Sequence, residues 1–273
     1  MGRINPAIPP NDPHTPRWLL DLEEWRIHPY TSIPAATLEA HGYGVVSYTW
    51  GYIVATPGQP APNPPAGLLW DVPTVSAWPL SRAREVMQTI GTRYVWWDWM
   101  CVPQRGEGLR PLSRELEVVQ AEEIGKQMHI YGNATKSIIW LHSTNWTTTP
   151  ASAMQELLHL RLYYDEDTAP DPNTTPTSLQ NHANHIAAQL ALAHEQEHWT
   201  RSGWTLQEGV LLHETDLIDG RGARLTDLTS PGYFLGDHAT VADLTIPVTR
   251  LAFELAIAYF MQSQGYEPDV GAP

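Results

Sequence analysis

YGVVSYTWG, residues 43–51, gathers β-branched and aromatic side chains into one short run and closes it on a glycine. Such a run suits a buried strand that ends in a tight turn. Two later runs share its character: RYVWWDWMCV (93–102), broken by a single carboxylate at Asp98, and KSIIWLH (136–142). Strands that are apolar almost throughout belong to sheets covered on both faces, because alternation appears only where one face meets water. The intervening segments read as helices. One is expected over about 80–90, with Ser81 as N-cap and Gly91 at its end. The other, over 113–134, places apolar residues at 116, 119, 124, 128 and 131 and ends near Gly132. Strand, helix, strand, helix, strand predicts an α/β fold of three layers around a mainly parallel sheet.

The flanks read differently. The first forty residues are proline-spaced, with RWLLDLEEWRI (17–27) as an apolar-acidic island expected to pack on the domain surface. Residues 56–79 are dense in Pro and Gly and form a long loop. After residue 142 come one helix (151–163), an acidic Pro/Thr-rich loop (165–178) and a polar helix (178–198), which together read as an insertion. TDLIDG (215–220) supplies a further strand, and TIPVTRLAFELAIAYFMQ (245–262) an amphipathic C-terminal helix. The predicted organisation is an N-terminal extension packed on the core (1–42), a domain over 43–220 with an insertion at about 143–199, and a C-terminal helical extension (221–273).

Composition narrows the partners. Hydrophobic residues make up 42% of the 273 and charged residues 17%, enough to bury a substantial core. The formal net charge of −14 opposes phosphate backbones and anionic lipid surfaces, so neither nucleic acid nor membrane is expected as a partner. A single cysteine, Cys101, excludes an internal disulfide framework and fits a reducing compartment. The longest apolar run, LAFELAIAYFM (251–261), is too short to span a bilayer and carries Glu254. A cytoplasmic protein is expected. Twelve tryptophans against three phenylalanines favour pocket walls and half-buried edges, where an indole combines a large apolar face with one N–H donor.

Several residues could carry chemistry. HEQEH (194–198) has the spacing of a zinc hydrolase, with His194 and His198 as ligands and Glu195 as base. Its intervening residues, Gln196 and Glu197, are polar where such helices are normally buried, and no third ligand is marked out. A solvated helix face explains it better, and no metal is expected. Cys101 sits among apolar neighbours with no cation to lower its pKa, so an inert thiol is expected. Asp98 either caps the loop after its strand or faces ligand at the strand's carboxyl end, where open α/β sheets bind theirs. SYTWG (47–51) offers a hydroxyl, aromatic faces and backbone donors at the sheet rim, a plausible nucleotide subsite. In RSGWTLQEGVLL (201–212), Glu208 follows Trp204 by one helical turn. By position alone it is a carboxylate at a helix start, favoured by the macrodipole or paired with Arg201.

Four of these segments in order resemble one family, the fungal HET (heterokaryon incompatibility) domain. GVVSYTWG looks like its first block, RYVWWDWMCVPQ its second, EIGKQMHIYGNATKSIIWL its helix–strand block, and RSGWTLQE its Arg-x-Trp-Thr-Leu-Gln-Glu block. The chain departs from the pattern at Trp97, Trp99 and Pro103, where the family prefers isoleucine, a small residue and asparagine. HET domains in turn look like distant relatives of TIR domains, which are flavodoxin-like and in several cases cleave NAD⁺. WTLQE is similar to the TIR block Trp-Cys-x-x-Glu that carries the catalytic glutamate.

The resemblance implies a flavodoxin-like or TIR-like core. It implies Glu208 as the catalytic carboxylate, with Ser47, Tyr48, Trp50, Gly51, Asp98 and Trp204 around a nucleotide. NAD⁺ or a related nucleotide would be substrate, with no cofactor, and the active form would be a homo-oligomer. Cleaving the nicotinamide–ribose bond passes through an oxocarbenium-like state that one ionised, water-shielded carboxylate can stabilise. The rival readings are a non-catalytic module that triggers cell death through partners or self-association, and a zinc hydrolase using 194–198.

Overall fold

The computed structural model describes residues 8–49, 59–74, 79–145, 153, 184, 188–189, 191–193, 195–202, 205, 208, 212 and 215–224. Strand β3 (Gly44–Ser47) is buried at all four positions, as its uninterrupted apolar run requires. It pairs in parallel with β4 (Tyr94–Trp96) on one edge and with β5 (Lys136–Leu141) on the other. β6 (Asp216–Asp219) continues the parallel block beside β5, with Ile139 opposite Leu217. Among the described residues the sheet has six strands in the order β2-β1-β4-β3-β5-β6. The α/β class and the mainly parallel sheet therefore stand.

The N-terminal island is part of that sheet and does not lie on the domain surface. β1 (Trp18–Asp21) and β2 (Arg26–Pro29) form an antiparallel hairpin, and β1 pairs antiparallel with β4 through Leu20↔Val95 and Asp21↔Tyr94. Leu19 and Leu20 point to opposite faces and both are fully buried. Asp21 builds the hairpin turn by accepting the backbone N–H groups of Glu23 and Glu24. Arg93 then clamps the fully buried Asp21 carboxylate at 2.7 Å. That guanidinium and the turn N–H groups hold the Asp21 carboxyl below its ordinary range against the opposing effect of burial.

Three helix boundaries differ from the sequence reading. α2 (Leu80–Gln88) starts after Pro79 with no side-chain cap, and Ser81 lies exposed inside its first turn. Proline at the entry takes over the role assigned to a serine cap, its fixed φ setting the chain direction. Gly91 follows with φ +73°, the left-handed conformation that lets the chain turn into β4. The predicted strand 93–102 stops at Trp96. From Asp98 the backbone turns helical (α3, Asp98–Cys101), because the Asp98 carboxylate accepts the Trp99 N–H at 2.7 Å.

The long helix 113–134 is in fact two, α4 (Arg114–Gly125) and α5 (Gln127–Gly132), with Ser113 capping the first. Ile124 and Met128, expected inward, are exposed. The break lies at Lys126, whose side chain turns in to Glu123 at 2.7 Å and to Asn11 and the Asp12 carbonyl. Of the remaining expectations, the 178–198 helix is described at scattered helical positions from Asn184 to Gln196. Residues 154–183 and 225–273, with the 165–178 loop and the C-terminal helix, lie outside the described residues. Among the described residues, no helix is long and apolar enough to cross a membrane.

Packing on β3 leaves no room for a side chain at Gly44. A Cβ there would come within 2.5 Å of Ile90 Cγ2. The segment before β1 is held by a buried ion cluster. Arg17 donates its backbone N–H and one guanidinium N–H to Glu123, and another to Glu122 at 2.6 Å. Glu123 is fully buried, so losing Arg17 leaves a buried charge that Lys126 compensates only in part. Arg17→Ala is expected to lower unfolding stability by about 3 kcal/mol, the scale for breaking one side of a buried ion pair. Urea unfolding followed by fluorescence measures it, and a loss under about 1 kcal/mol, typical of surface pairs, would refute it.

Candidate functional site

The parallel strands, taken in chain order, lie second-first-third-fourth: β4, β3, β5, β6. The chain leaves β3 toward one edge and returns on the other. In open α/β sheets the crevice beyond the carboxyl ends of the strands at such a reversal is where ligands bind. Four of the sequence-predicted residues meet there. Ser47 is the last residue of β3 and fully buried. Its Oγ donates to Glu208 Oε2 at 2.6 Å. Tyr48, one residue on, donates its hydroxyl to Asp98 Oδ1 at 2.8 Å. Glu208 itself is half-buried on a helical turn, its carbonyl accepting the Leu212 N–H.

Aromatic rings wall this region. Tyr48 lies nearly parallel to Trp99 (10°, centroids 6.4 Å apart) and edge-on to Trp97, with Trp140 tilted beside it. Trp97 and Trp99, two of the three departures from the family pattern, are almost wholly buried and make this wall. Asp98 opens α3 and its Oδ1 accepts from both the Trp99 N–H and the Tyr48 hydroxyl. Trp50, Gly51 and Trp204 lie outside the described residues. A groove of about 670 Å³ between Trp25, Asn63, Pro79, Arg84 and Trp99 is separate, since neither Ser47, Asp98 nor Glu208 lines it.

Burial dominates the electrostatics. It pushes the Glu208 carboxyl up to about 8, against the Ser47 hydrogen bond, with the nearby Asp98 carboxylate adding to the rise. Burial therefore favours the neutral acid form of Glu208 near neutral pH. Burial, followed by the charge of Glu208 and Asp98, raises Tyr131 well above a free phenol. Burial and Asp98 do the same to Tyr48, so both phenols stay neutral.

Sequence reasoning missed two groups that touch this cluster. Tyr131 on α5 donates to the Val46 carbonyl at 3.0 Å, from a segment read only as a helix face. Trp199 sends its indole N–H to Ser47 Oγ at 2.8 Å. It stands immediately after the HEQEH motif in the 3₁₀ turn His198–Arg201. The only sequence signal for it was an indole beside a polar helix end.

The HEQEH motif is resolved in part. Glu195 and Gln196 are exposed, as a solvated face requires, whereas Glu197 is buried. Glu197 Oε2 accepts from the Thr144 hydroxyl (2.8 Å) and the Ser143 N–H, and Oε1 from the Trp199 N–H. Burial pushes its carboxyl up to about 7 despite those bonds. It joins the end of β5 to the turn carrying Trp199. His194 lies outside the described residues. Cys101 is buried, and burial pushes its thiol far above the nucleophilic range, as expected of an inert core cysteine. Asp21, Glu24 and His28 cluster closely enough for a cation, but the Arg93 guanidinium already bonds both carboxylates.

A family model described as Heterokaryon incompatibility protein (HET) matches residues 43–208, a span that begins just before β3 and ends on Glu208. No curated protein and no solved structure matches the chain.

The raised Glu208 carboxyl has a measurable consequence for stability. A carboxyl near its ordinary value in the unfolded chain and near 8 in the folded one keeps its proton only when folded. Its stabilising contribution is full at low pH and is lost as pH rises through about 8. His142, held at about 4 by burial and by His198, acts in the opposite sense, but only below its unfolded value near 6.5. Between pH 6.5 and 8.5 the wild type is therefore expected to lose stability with rising pH, and Glu208→Gln to lose less. Urea midpoints across that window test this, and parallel slopes would refute it.

Proposed function

The chain belongs to the heterokaryon incompatibility (HET) family, and from that premise we propose that it hydrolyses the nicotinamide–ribose bond of NAD⁺ with Glu208, as the step coupled to incompatibility-triggered cell death. The observation that carries the reading is Glu208 itself. It is half-buried at the strand reversal and bonded to Ser47 at the carboxyl end of the central strand. The second-first-third-fourth strand order is the one with which flavodoxin-like sheets begin, which supports the TIR-like comparison.

In this mechanism the bond between ribose C1′ and the nicotinamide ring nitrogen breaks. Nicotinamide leaves neutral with the bonding electron pair, and positive charge develops on the ribose. Glu208, ionised, stabilises that charge in a site shielded from water. A water then adds to C1′ and releases one proton, giving ADP-ribose. The raised Glu208 carboxyl is compatible with this, because an approaching pyridinium cation favours the carboxylate form. Substrate binding is thus expected to expel a proton near neutral pH. The aromatic wall of Tyr48 and Trp99 suits a flat ring, and Asp98 the ribose hydroxyls.

The zinc reading is disfavoured because Glu195, the base it needs, lies exposed beside the exposed Gln196, as on a solvated helix face. A non-catalytic module acting through partners remains the alternative outcome of the test. NAD⁺ consumption by purified protein is expected to fall at least about 100-fold in Glu208→Gln, the scale for removing one transition-state charge stabiliser. Equal turnover by the two proteins, or none by the wild type at high concentration, overturns the enzymatic reading. If a second copy completes the site, specific activity rises with protein concentration; a flat dependence argues for a self-sufficient monomer.

A further inference from the structure

We propose that Trp199 is a positioning residue that fixes the direction of the Ser47 proton, and through it the state of Glu208. An indole N–H can only donate, whereas a serine hydroxyl has one proton and two acceptor sites. The Trp199 N–H lies 2.8 Å from Ser47 Oγ and fills one acceptor site. The Ser47 proton must then go elsewhere, and Glu208 Oε2 receives it at 2.6 Å. Trp199 and Ser47 are both buried, so water does not compete for the bond between them.

The relay has an anchor. Trp199 is the second residue of a 3₁₀ turn whose cap is Glu197, itself buried and tied to Ser143 and Thr144 at the end of β5. Thr205, between Trp199 and Glu208 in the chain, donates back to the Trp199 carbonyl. The indole is thus held from both sides. One consequence follows for Glu208. The hydrogen bond favours the charged form and offsets part of the rise caused by burial. The other titratable groups facing Glu208 are Asp98 on α3, which raises it, and Tyr131 on α5, whose hydroxyl donates to Val46.

The functional weight of this role rests on the reading of Glu208 as the reacting carboxylate, but its test needs no substrate. Glutamate side-chain carboxyls labelled with ¹³C are titrated by NMR in the full-length protein, with Glu208 assigned through Glu208→Gln. Ser47→Ala is expected to raise the Glu208 midpoint by on the order of one pH unit, the scale of a hydrogen bond to a charged group. Trp199→Phe, which keeps the ring bulk and removes the N–H, should raise it by roughly half as much or more. The double variant should match Ser47→Ala alone, because Trp199 acts only through Ser47.

An unmoved midpoint in Trp199→Phe, or shifts that add in full, overturns the proposal. If Trp199→Phe does not fold, the wild-type indole ¹⁵N–H resonance of Trp199 decides. It should titrate with the Glu208 midpoint and cease to do so in Ser47→Ala, and an indifferent resonance overturns the relay. A coupled midpoint in a protein that leaves NAD⁺ intact refutes the hydrolase reading while the relay stands. NAD⁺ turnover with uncoupled midpoints does the reverse.

Discussion

The pairing of β3 on both edges is the constraint from which the site follows. With β4 along one edge and β5 along the other, and every residue buried, the strand has no freedom to slip or tilt. Its last residue, Ser47, is therefore delivered to one fixed point beyond the sheet. Asp98 arrives two residues after β4 ends, and Ser143 and Thr144 two and three residues after β5 ends. The crevice is built from strand ends whose positions are set by backbone hydrogen bonds. The residues that complete it, Trp199 and Glu208, come from later chain and attach by side-chain bonds to what the sheet has placed.

Three buried glutamates show how the fold treats charge. Glu123 is matched by Arg17 and Lys126, so its burial is offset by ion pairs at 3.0 and 2.7 Å. Glu197 is bound by a hydroxyl and two backbone N–H groups and no cation, and its carboxyl sits near neutrality. Glu208 has one hydroxyl at 2.6 Å and a neighbouring carboxylate, and rises further. The series runs from locked charge to titratable acid, and the last member lies beside the carboxyl end of β3 at the strand reversal. Perturbed carboxyls in clefts recur at functional sites because a group poised between two states responds to what binds beside it.

Much of the fold was legible because local pattern and tertiary role agree in the strands. YGVVSYTWG and KSIIWLH are apolar without alternation, and both are central. The island RWLLDLEEWRI misled because its length suits a surface cover equally well. Only the β1–β4 pairing, between residues some 75 positions apart, makes it sheet. Likewise periodicity could not foresee that Lys126 would turn inward and divide a helix. In the site, Ser47 and Glu208 were legible through family blocks, not through spacing, since 161 positions separate them. Trp199 belongs to no such block. Its contact with Ser47 spans 152 positions, and nothing in HEQEHWTR distinguishes it from any other indole.

The family match begins at residue 43, yet the sheet does not. β1 occupies the edge of β4 that faces away from β3, and β2 in turn shields β1. A polypeptide cut to start at the match would lose both β1 and β2 and leave β4, a strand of three buried aromatic and β-branched residues, with an open edge where β1 had paired. Unpaired edges of that kind recruit strands from other molecules. The residues before 43 thus act as the protein's own guard against edge-to-edge association, and the cooperative folding unit is wider than the conserved module it contains.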